Sequence, residues 1–109
     1  MKRYAYVIFS RPVQGQEAEY NRWYTEQHVG DVLRVPGVLA AQRFKVAQSG
    51  SDAPAPYLAV YEIESDDVQQ TLAQIAARAG TPDMPISPAL DVTAVKALVY
   101  EAITDRRTR

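Results

Sequence analysis

The sequence predicts a ferredoxin-like α+β sandwich: one domain over residues 1–109, with a four-stranded antiparallel sheet and two helices on one face. Three observations support this fold. Extended and helical patterns follow one another in the order β-α-β-β-α-β, which is that of a split βαβ unit. The 109 residues provide one modest hydrophobic core and not two. The first and last strands are apolar on both faces, so a second layer must cover the sheet opposite the helices.

The first strand and the first helix have clear sequence signals. Aromatic and β-branched residues over Tyr4–Ser10 predict a strand, which ends before an Arg-Pro pair. From about Gln16 to Leu33 the pattern is helical, with acidic residues in the first turn and Pro36-Gly37 beyond its end. Spacings of three and four place six side chains in one broad stripe: Tyr20, Trp23, Tyr24, Gln27, His28 and Asp31.

The middle of the chain predicts a hairpin. Val38–Ala47 is the expected second strand, and Tyr57–Glu64 is the expected third. The intervening Gln48–Pro56 is polar and contains prolines, which is typical of a loop.

The second helix and the last strand complete the pattern. Ser65 is the expected N-cap, and apolar residues at helical spacing run from Val68 to Ala79. Gly80 lies where a left-handed C-terminal cap is favoured. A loop with three prolines follows, and Val92–Ile103 is predicted to be a long fourth strand.

Side-chain alternation leaves the sheet with two apolar faces. In the first strand Ala5, Val7 and Phe9 face one way while Tyr6 and Ile8 face the other, and the fourth strand repeats the pattern. Two helices cover only one face. We therefore expect a second copy to pack sheet against sheet, which gives an isologous homodimer with a barrel-like centre.

The alternative is that the open face binds a ligand. The RNA-recognition module has the same element order and stacks bases on sheet aromatics, a role that Tyr6, Tyr57 and Tyr61 would imitate. However, the third strand lacks the Lys/Arg-Gly-aromatic opening of that module, and the chain carries a net charge of -1. These features argue against nucleic acid as the partner.

Composition excludes several classes of site. The chain has no cysteine, which rules out disulfides, thiolate metal sites and cysteine nucleophiles. Its five glycines are separated, so there is no phosphate-binding loop and a nucleotide cofactor is not expected. One histidine with scattered carboxylates lacks the spacing of a zinc site. The first apolar run is too short for a membrane span, and we expect a cytoplasmic protein.

His28 is the candidate general base because it is the only histidine and its ordinary pKa lies near neutrality. Tyr24 precedes it by four residues and Asp31 follows it by three, so all three share one side of the helix. Asp31 in that position would hold the imidazole in one tautomer, while the Tyr24 phenol would donate to the substrate. The alternative is that the His28–Asp31 pair serves helix stability only.

Four further side chains are candidate substrate contacts. Arg43 lies among apolar residues of the second strand, where it either forms a salt bridge with Glu62, Glu64 or Asp31 or binds a substrate oxygen. Tyr61 shares a strand face with Tyr57, and its hydroxyl would point into the same cavity as His28. Trp23 would form part of the pocket wall, as would Tyr6 from the first strand.

The segment from Tyr20 to Arg43 resembles the dimeric α+β barrel superfamily, in particular its EthD-like members. In those proteins the first helix carries an aromatic pair and then a histidine, and a Pro-Gly pair precedes the second strand. The matching residues are Tyr20, Trp23, Tyr24, His28, Pro36 and Gly37.

This resemblance implies a small aromatic or lactone-like ligand between the helices and the sheet. The superfamily includes isomerases, polyketide cyclases, cofactor-free monooxygenases and haem-binding relatives. The expected function is therefore a cofactor-independent isomerase, cyclase or lyase in which His28 transfers a proton. A non-catalytic small-molecule binding protein and an oxygenase of the same fold, without cofactor or with haem on His28, remain the alternatives.

Overall fold

The computed structural model describes residues 1–48 and 52–109 and has the predicted architecture. The strands are β1 (Lys2–Ser10), β2 (Val38–Lys45), β3 (Tyr57–Ser65) and β4 (Lys96–Glu101). They form one antiparallel sheet in the order β2-β3-β1-β4, with the two central strands adjacent. The ferredoxin-like fold predicted from the element order is thus confirmed. The central part of the predicted Gln48–Pro56 loop, residues 49–51, lies outside the described residues.

The first helix is continuous over the predicted range but not uniform. It consists of an α-helical segment Glu17–Trp23, a π-helical turn Tyr24–His28 and a second α-helical segment Val29–Leu33. The periodicity did not predict the π turn. The second helix is Val68–Arg78. Within residues 1–48 and 52–109, no helix is long and apolar enough to cross a membrane.

Two predicted strands are shorter in the structure. β2 ends at Lys45 and not at Ala47, because Lys45 pairs with Tyr57, the first residue of β3. The fourth strand begins at Lys96, since Val92–Ala94 forms a 3₁₀ turn with Asp91 as its cap.

The N-cap of the second helix was also mispredicted. The carboxylate of Asp67 accepts the backbone N–H of Gln70 at 3.3 Å, so Asp67 is the cap. Ser65 instead accepts hydrogen bonds from the Asp67 backbone and from the Thr71 hydroxyl. The cause is local, since Asp67 directly precedes the first helical residue and its carboxylate caps a helix about as well as a serine hydroxyl does.

The core lies between the helices and the even-numbered residues of β1. Tyr6 pairs with Tyr61 of β3 and with Val99 of β4, so these three side chains lie on the helix-facing side. The first helix packs over β2 and the second over β3. The helix-facing side of β1 and β4 is less covered, and Val99 is 37% exposed there. A partly open strip of sheet therefore runs beside the core.

The opposite face of the sheet has no covering element within the described residues. It carries a band of apolar side chains at its centre, and at one end Arg3 forms ion pairs with Glu62 and Glu64. The residues of the band are Val7, Phe9, Phe44, Leu58, Val60, Leu98 and Tyr100. The prediction of two apolar sheet faces is confirmed by this register.

Candidate functional site

His28 is buried where the π turn returns to α-helical geometry. Its imidazole stacks on the Trp23 indole, with ring centroids 4.6 Å apart and planes at 27°, and meets the edge of Tyr24 at 4.9 Å. The residue is 8% exposed. The Trp23 indole N–H in turn donates to the Pro85 carbonyl at 3.1 Å, which fixes the stack against the loop after the second helix. His28 therefore points inward, as the helical stripe predicted.

The surroundings of His28 keep its imidazole neutral. Burial lowers the pKa of His28 to about 4; the Asp31 carboxylate opposes this change and the Arg43 charge adds to it. At neutral pH the ring is therefore uncharged and has a lone pair available for a proton. Any imidazolium that forms there is a strong acid and returns its proton readily.

Asp31 is close enough to influence His28 but does not hydrogen-bond to it. Its Oδ1 accepts from Arg34 at 2.8 Å, an i,i+3 contact on the same helix. The expected His28–Asp31 hydrogen bond is not formed in this conformation, although only one of the two carboxylate oxygens is taken by Arg34. Asp31 is nevertheless 6% exposed, and within the described residues its Oδ2 and His28 Nδ1 both lack hydrogen-bond partners.

Three phenols lie between the first helix and the sheet. The Tyr6 and Tyr61 rings are 6.3 Å apart across β1 and β3, and Tyr24 approaches from the helix. Burial raises the pKa of Tyr24 to about 12, and burial together with the neighbouring Tyr24 raises the pKa of Tyr61 further. Tyr61 is fully buried, and its hydroxyl lies near that of Tyr24 without meeting the geometry of a hydrogen bond among the described residues. Both phenols remain protonated and can act as hydrogen-bond donors.

Arg43 reaches the first helix from β2. Its two terminal nitrogens donate to Thr25 Oγ1 at 2.8 Å and to Asn21 Oδ1 at 2.9 Å. The guanidinium carbon lies 4.5 Å from the centre of the Tyr24 ring. The salt bridge that we considered from the sequence is not formed among the described residues, since Glu62 and Glu64 pair with Arg3 on the other face.

Sequence reasoning missed several polar residues that support this cluster. Asn21 and Thr25 hold Arg43, and Asn21 also donates to the Tyr57 hydroxyl at 3.1 Å. Tyr57 in turn donates to Glu17 at 2.6 Å. The i,i+4 spacing of Asn21 and Thr25 is visible in the sequence, but nothing there indicates that a strand arginine bridges them.

The described residues contain no group of three or more His, Cys, Asp and Glu side chains that would hold a metal ion. An open groove of about 950 Å³ lies between the start of β1 and the C-terminal segment after β4. None of the candidate residues lines it. The candidate site is instead the closely packed region around His28, Tyr24 and Tyr61.

Comparison with known proteins shows similarity in structure only. No family model matches the sequence, and no curated protein matches it significantly. The structure is similar to haem-bound MhuD from Mycobacterium tuberculosis, described as a heme-degrader (TM-score 0.63, 23% identity, 95% of this chain and 99% of that chain). It is similar to an EthD family protein from Bacillus halodurans (TM-score 0.63, 11% identity, 94% and 100% covered). It is also similar to SnoaB from Streptomyces nogalater, a cofactor-independent oxygenase (TM-score 0.59, 15% identity, 95% and 96% covered).

These similarities extend over nearly the whole chain in each case, whereas the sequence motif covers less than a quarter of it. At such low identities they establish the fold and leave the chemistry open. The chain therefore has the fold of the dimeric α+β barrel superfamily, with an EthD family protein among its structural neighbours.

Proposed function

We propose that the protein is an enzyme that binds a small aromatic, lactone or polyketide-like molecule between the first helix and the sheet. In this proposal His28 removes a proton from the substrate. One observation carries it: His28 Nδ1, Asp31 Oδ2 and Tyr61 Oη are buried and lack hydrogen-bond partners among the described residues. Unpaired polar atoms are costly in a protein interior, and such atoms are typical of a site where a ligand completes the hydrogen bonds.

The ligand would enter over the less covered half of the sheet. Tyr6 is only partly buried, and Val99 beside it is partly exposed on the same side. A planar molecule lying there would contact the Tyr6 ring and approach the Tyr61 hydroxyl. Side-chain movement of Trp23 or Tyr24 is needed to bring it against the imidazole, since His28 is closely packed.

The proposed chemistry uses His28 as the base. With a pKa of about 4 in the unliganded protein the imidazole is a weak base, so the proposal requires the Asp31 charge and the bound substrate to raise that pKa. Neutral His28 takes a proton from a carbon beside a carbonyl, and the electron pair of that C–H bond moves into an enolate. The protonated phenols of Tyr24 and Tyr61 donate hydrogen bonds to the enolate oxygen. The imidazolium then returns the proton to a different carbon, which completes an isomerisation. In a cyclisation the enolate carbon first attacks a second carbonyl carbon of the substrate, whose C=O π bond opens to an alkoxide, and the imidazolium protonates that alkoxide. Asp31 stabilises the imidazolium through its charge.

A cofactor-independent oxygenase is the second candidate, because SnoaB shares the fold. The first step is the same deprotonation. The carbanion then transfers one electron to dioxygen, the radical pair recombines to a hydroperoxide, and loss of water leaves a carbonyl. Two substrate hydrogens and one dioxygen are consumed for each carbonyl and water formed.

Haem is a poor fit to these residues in the described conformation, although MhuD binds it. An axial ligand must face a flat cavity wide enough for a porphyrin. The only histidine of the chain is stacked on Trp23 and 8% exposed. In this conformation His28 therefore has no room to act as an axial haem ligand. A Soret band in the purified protein would contradict this conclusion.

We also propose that the protein is a homodimer formed through the open sheet face. The apolar band forms a continuous patch across neighbouring strands, including β1, β3 and β4. Tyr100 at its edge is 59% exposed. Contiguous apolar surfaces of this kind mark interfaces between proteins. A second copy offers the same band, which makes a two-fold contact self-complementary.

The enzymatic proposal is tested with a panel of lactones, phenols and polyketide-like aromatics, with and without oxygen. We expect turnover that falls by about 100-fold or more in His28→Gln. Glu26→Gln, an exposed change on the same helix, serves as the control and should retain full turnover. Turnover without oxygen identifies the isomerase or cyclase, and oxygen consumption identifies the oxygenase. A co-purified small molecule with no turnover would instead establish a binding protein and overturn the enzymatic proposal.

A further inference from the structure

Arg43 joins strand β2 to the junction between the α-helical and π-helical parts of the first helix. One of its nitrogens donates to Asn21 in the α-helical segment, and the other donates to Thr25 in the π turn. The two acceptors are four residues apart and flank the point where the helix geometry changes. A single guanidinium therefore bridges that point from outside the helix.

The environment of Arg43 differs from that of an anion clamp. Its partners are neutral, and its guanidinium lies over aromatic rings, 4.5 Å from the centre of Tyr24 and 5.5 Å from that of Tyr57. A clamp presents its planar fork to a carboxylate or enolate. Here both terminal nitrogens already donate to side chains of the first helix.

The contacts of Arg43 lead directly to the imidazole. The guanidinium covers the Tyr24 ring, and that ring meets His28 at 4.9 Å and 89°. We propose that Arg43 is a positioning residue: by fixing Asn21, Thr25 and the Tyr24 ring, it sets the place and orientation of His28. This role differs from substrate contact. It rests on the proposed function only in taking Tyr24 and His28 as the reacting groups.

The π turn provides an independent reason for such an anchor. Isolated π turns are rare within helices, and they recur at functional sites. Arg43 is the side chain from outside the helix that hydrogen-bonds to the polar group of Thr25, within the described residues. Its planar guanidinium makes two directed hydrogen bonds and a ring contact at once, which a lysine does not reproduce.

The test uses the single histidine of the chain as a spectroscopic probe and needs no substrate. The ¹H–¹³C signals of the His28 imidazole carry ring-current shifts from Trp23 and Tyr24. We expect Arg43→Lys and Arg43→Gln to move these signals toward those of free histidine. Arg43→Lys retains the charge, so a change there reports geometry. Thr25→Val removes one hydrogen bond and should cause a smaller shift in the same direction.

Arg22→Lys is the matched control, since Arg22 lies on the same helix but makes only exposed ion pairs. It should leave the imidazole signals unchanged. Unchanged signals in both Arg43 variants would overturn the proposal. Unchanged signals combined with loss of binding to salicylate, an anionic aromatic probe, would identify Arg43 as a ligand clamp instead. If the Arg43 variants fail to fold by circular dichroism, Thr25→Val decides the question.

These outcomes separate the inference from the proposed function. If His28→Gln leaves turnover intact, the catalytic proposal fails while the imidazole shifts in the Arg43 variants still test the anchor. If the shifts are absent but His28→Gln abolishes turnover, the anchor fails and the catalytic proposal stands.

Discussion

The imidazole of His28 stacks on the indole of Trp23, and these are the only histidine and the only tryptophan of the chain. Each ring therefore reports on the other without labelling. Protonation of a stacked imidazole changes the fluorescence of the adjacent indole, and the imidazole gives one resolvable set of NMR signals. The two measurements bear directly on the protonation state of the proposed base.

We predict that His28 titrates near pH 4 and not near its ordinary value of about 6.5. The cause is burial, since an imidazolium in this packed interior loses most of its hydration. Two titrations check this, one by NMR of the imidazole and one by Trp23 fluorescence, and they should give the same midpoint. A midpoint near 6.5 would mean that the ring is hydrated in solution.

The same pKa predicts how stability depends on pH. Because the pKa of His28 is lower in the folded state, the unfolded state binds more protons between about pH 6.5 and pH 4. The free energy of unfolding should therefore be highest above pH 6.5 and fall as the pH decreases through this window. The contribution of His28 is at most about 1.4 kcal/mol for each pH unit. Urea unfolding of the wild type and of His28→Gln at pH 7, 6 and 5 measures the difference in slope.

We predict that loss of the Tyr61 hydroxyl lowers turnover strongly and changes the free energy of unfolding only slightly. Tyr61→Phe removes a buried hydroxyl without a partner, so the free energy of unfolding should change by less than about 1 kcal/mol. Turnover should fall by about 100-fold if this hydroxyl donates to the enolate oxygen. Thermal unfolding and kcat/KM are the two measurements.

Tyr57→Phe is the matched control for Tyr61→Phe, because both are buried tyrosines on the same face of β3. Tyr57 donates to Glu17 and accepts from Asn21, so its loss should lower the free energy of unfolding by about 1 to 2 kcal/mol and should lower turnover less than Tyr61→Phe does. If Tyr57→Phe lowers turnover more than Tyr61→Phe does, the substrate does not bind beside the Tyr61 hydroxyl.

A charge at the centre of the open sheet face should separate the two subunits. Val60 lies in β3 opposite Val7, and Val60→Lys would bury an ammonium in the proposed interface at a cost of several kcal/mol. We expect the dissociation constant of the dimer to rise at least roughly 100-fold in analytical ultracentrifugation. Val92→Lys, which places the same charge at an exposed turn, should leave the dimer intact. A wild-type protein that sediments as a monomer would contradict the dimer proposal.

Periodicity was sufficient to predict the fold and the buried stripe of the first helix, because both depend on patterns that extend over many residues. Five of the six residues of the predicted stripe are buried, namely Tyr20, Trp23, Tyr24, His28 and Asp31, and the sixth, Gln27, is partly buried. The topology confirms the order of elements. Patterns of this length are not altered when two neighbouring residues compete for the same hydrogen-bond partner.

The details that failed depend on such competition. Asp31 was expected to bind His28 three residues before it, but it pairs with Arg34 three residues after it and its other carboxylate oxygen has no partner among the described residues. Ser65 and Asp67 both offer capping groups, and only the one adjacent to the helix is used. The role of Arg43 depends on contacts across 18 and 22 residues, which no local pattern encodes.

Because Tyr24–His28 forms a π turn, a change in the number of residues there alters the geometry of the first helix. A π turn holds about one residue more than an α turn, and each residue corresponds to about 100° of rotation. Deleting one residue between Tyr24 and His28 would therefore close this turn to regular α-helical geometry, which would keep Asp31 and Val32 on the inner side of the helix but change the directions of the side chains within the turn. Homologous sequences that differ in length at this turn would be expected to differ in chemistry, whereas length changes in the hairpin between β2 and β3 would be expected to leave it unaltered.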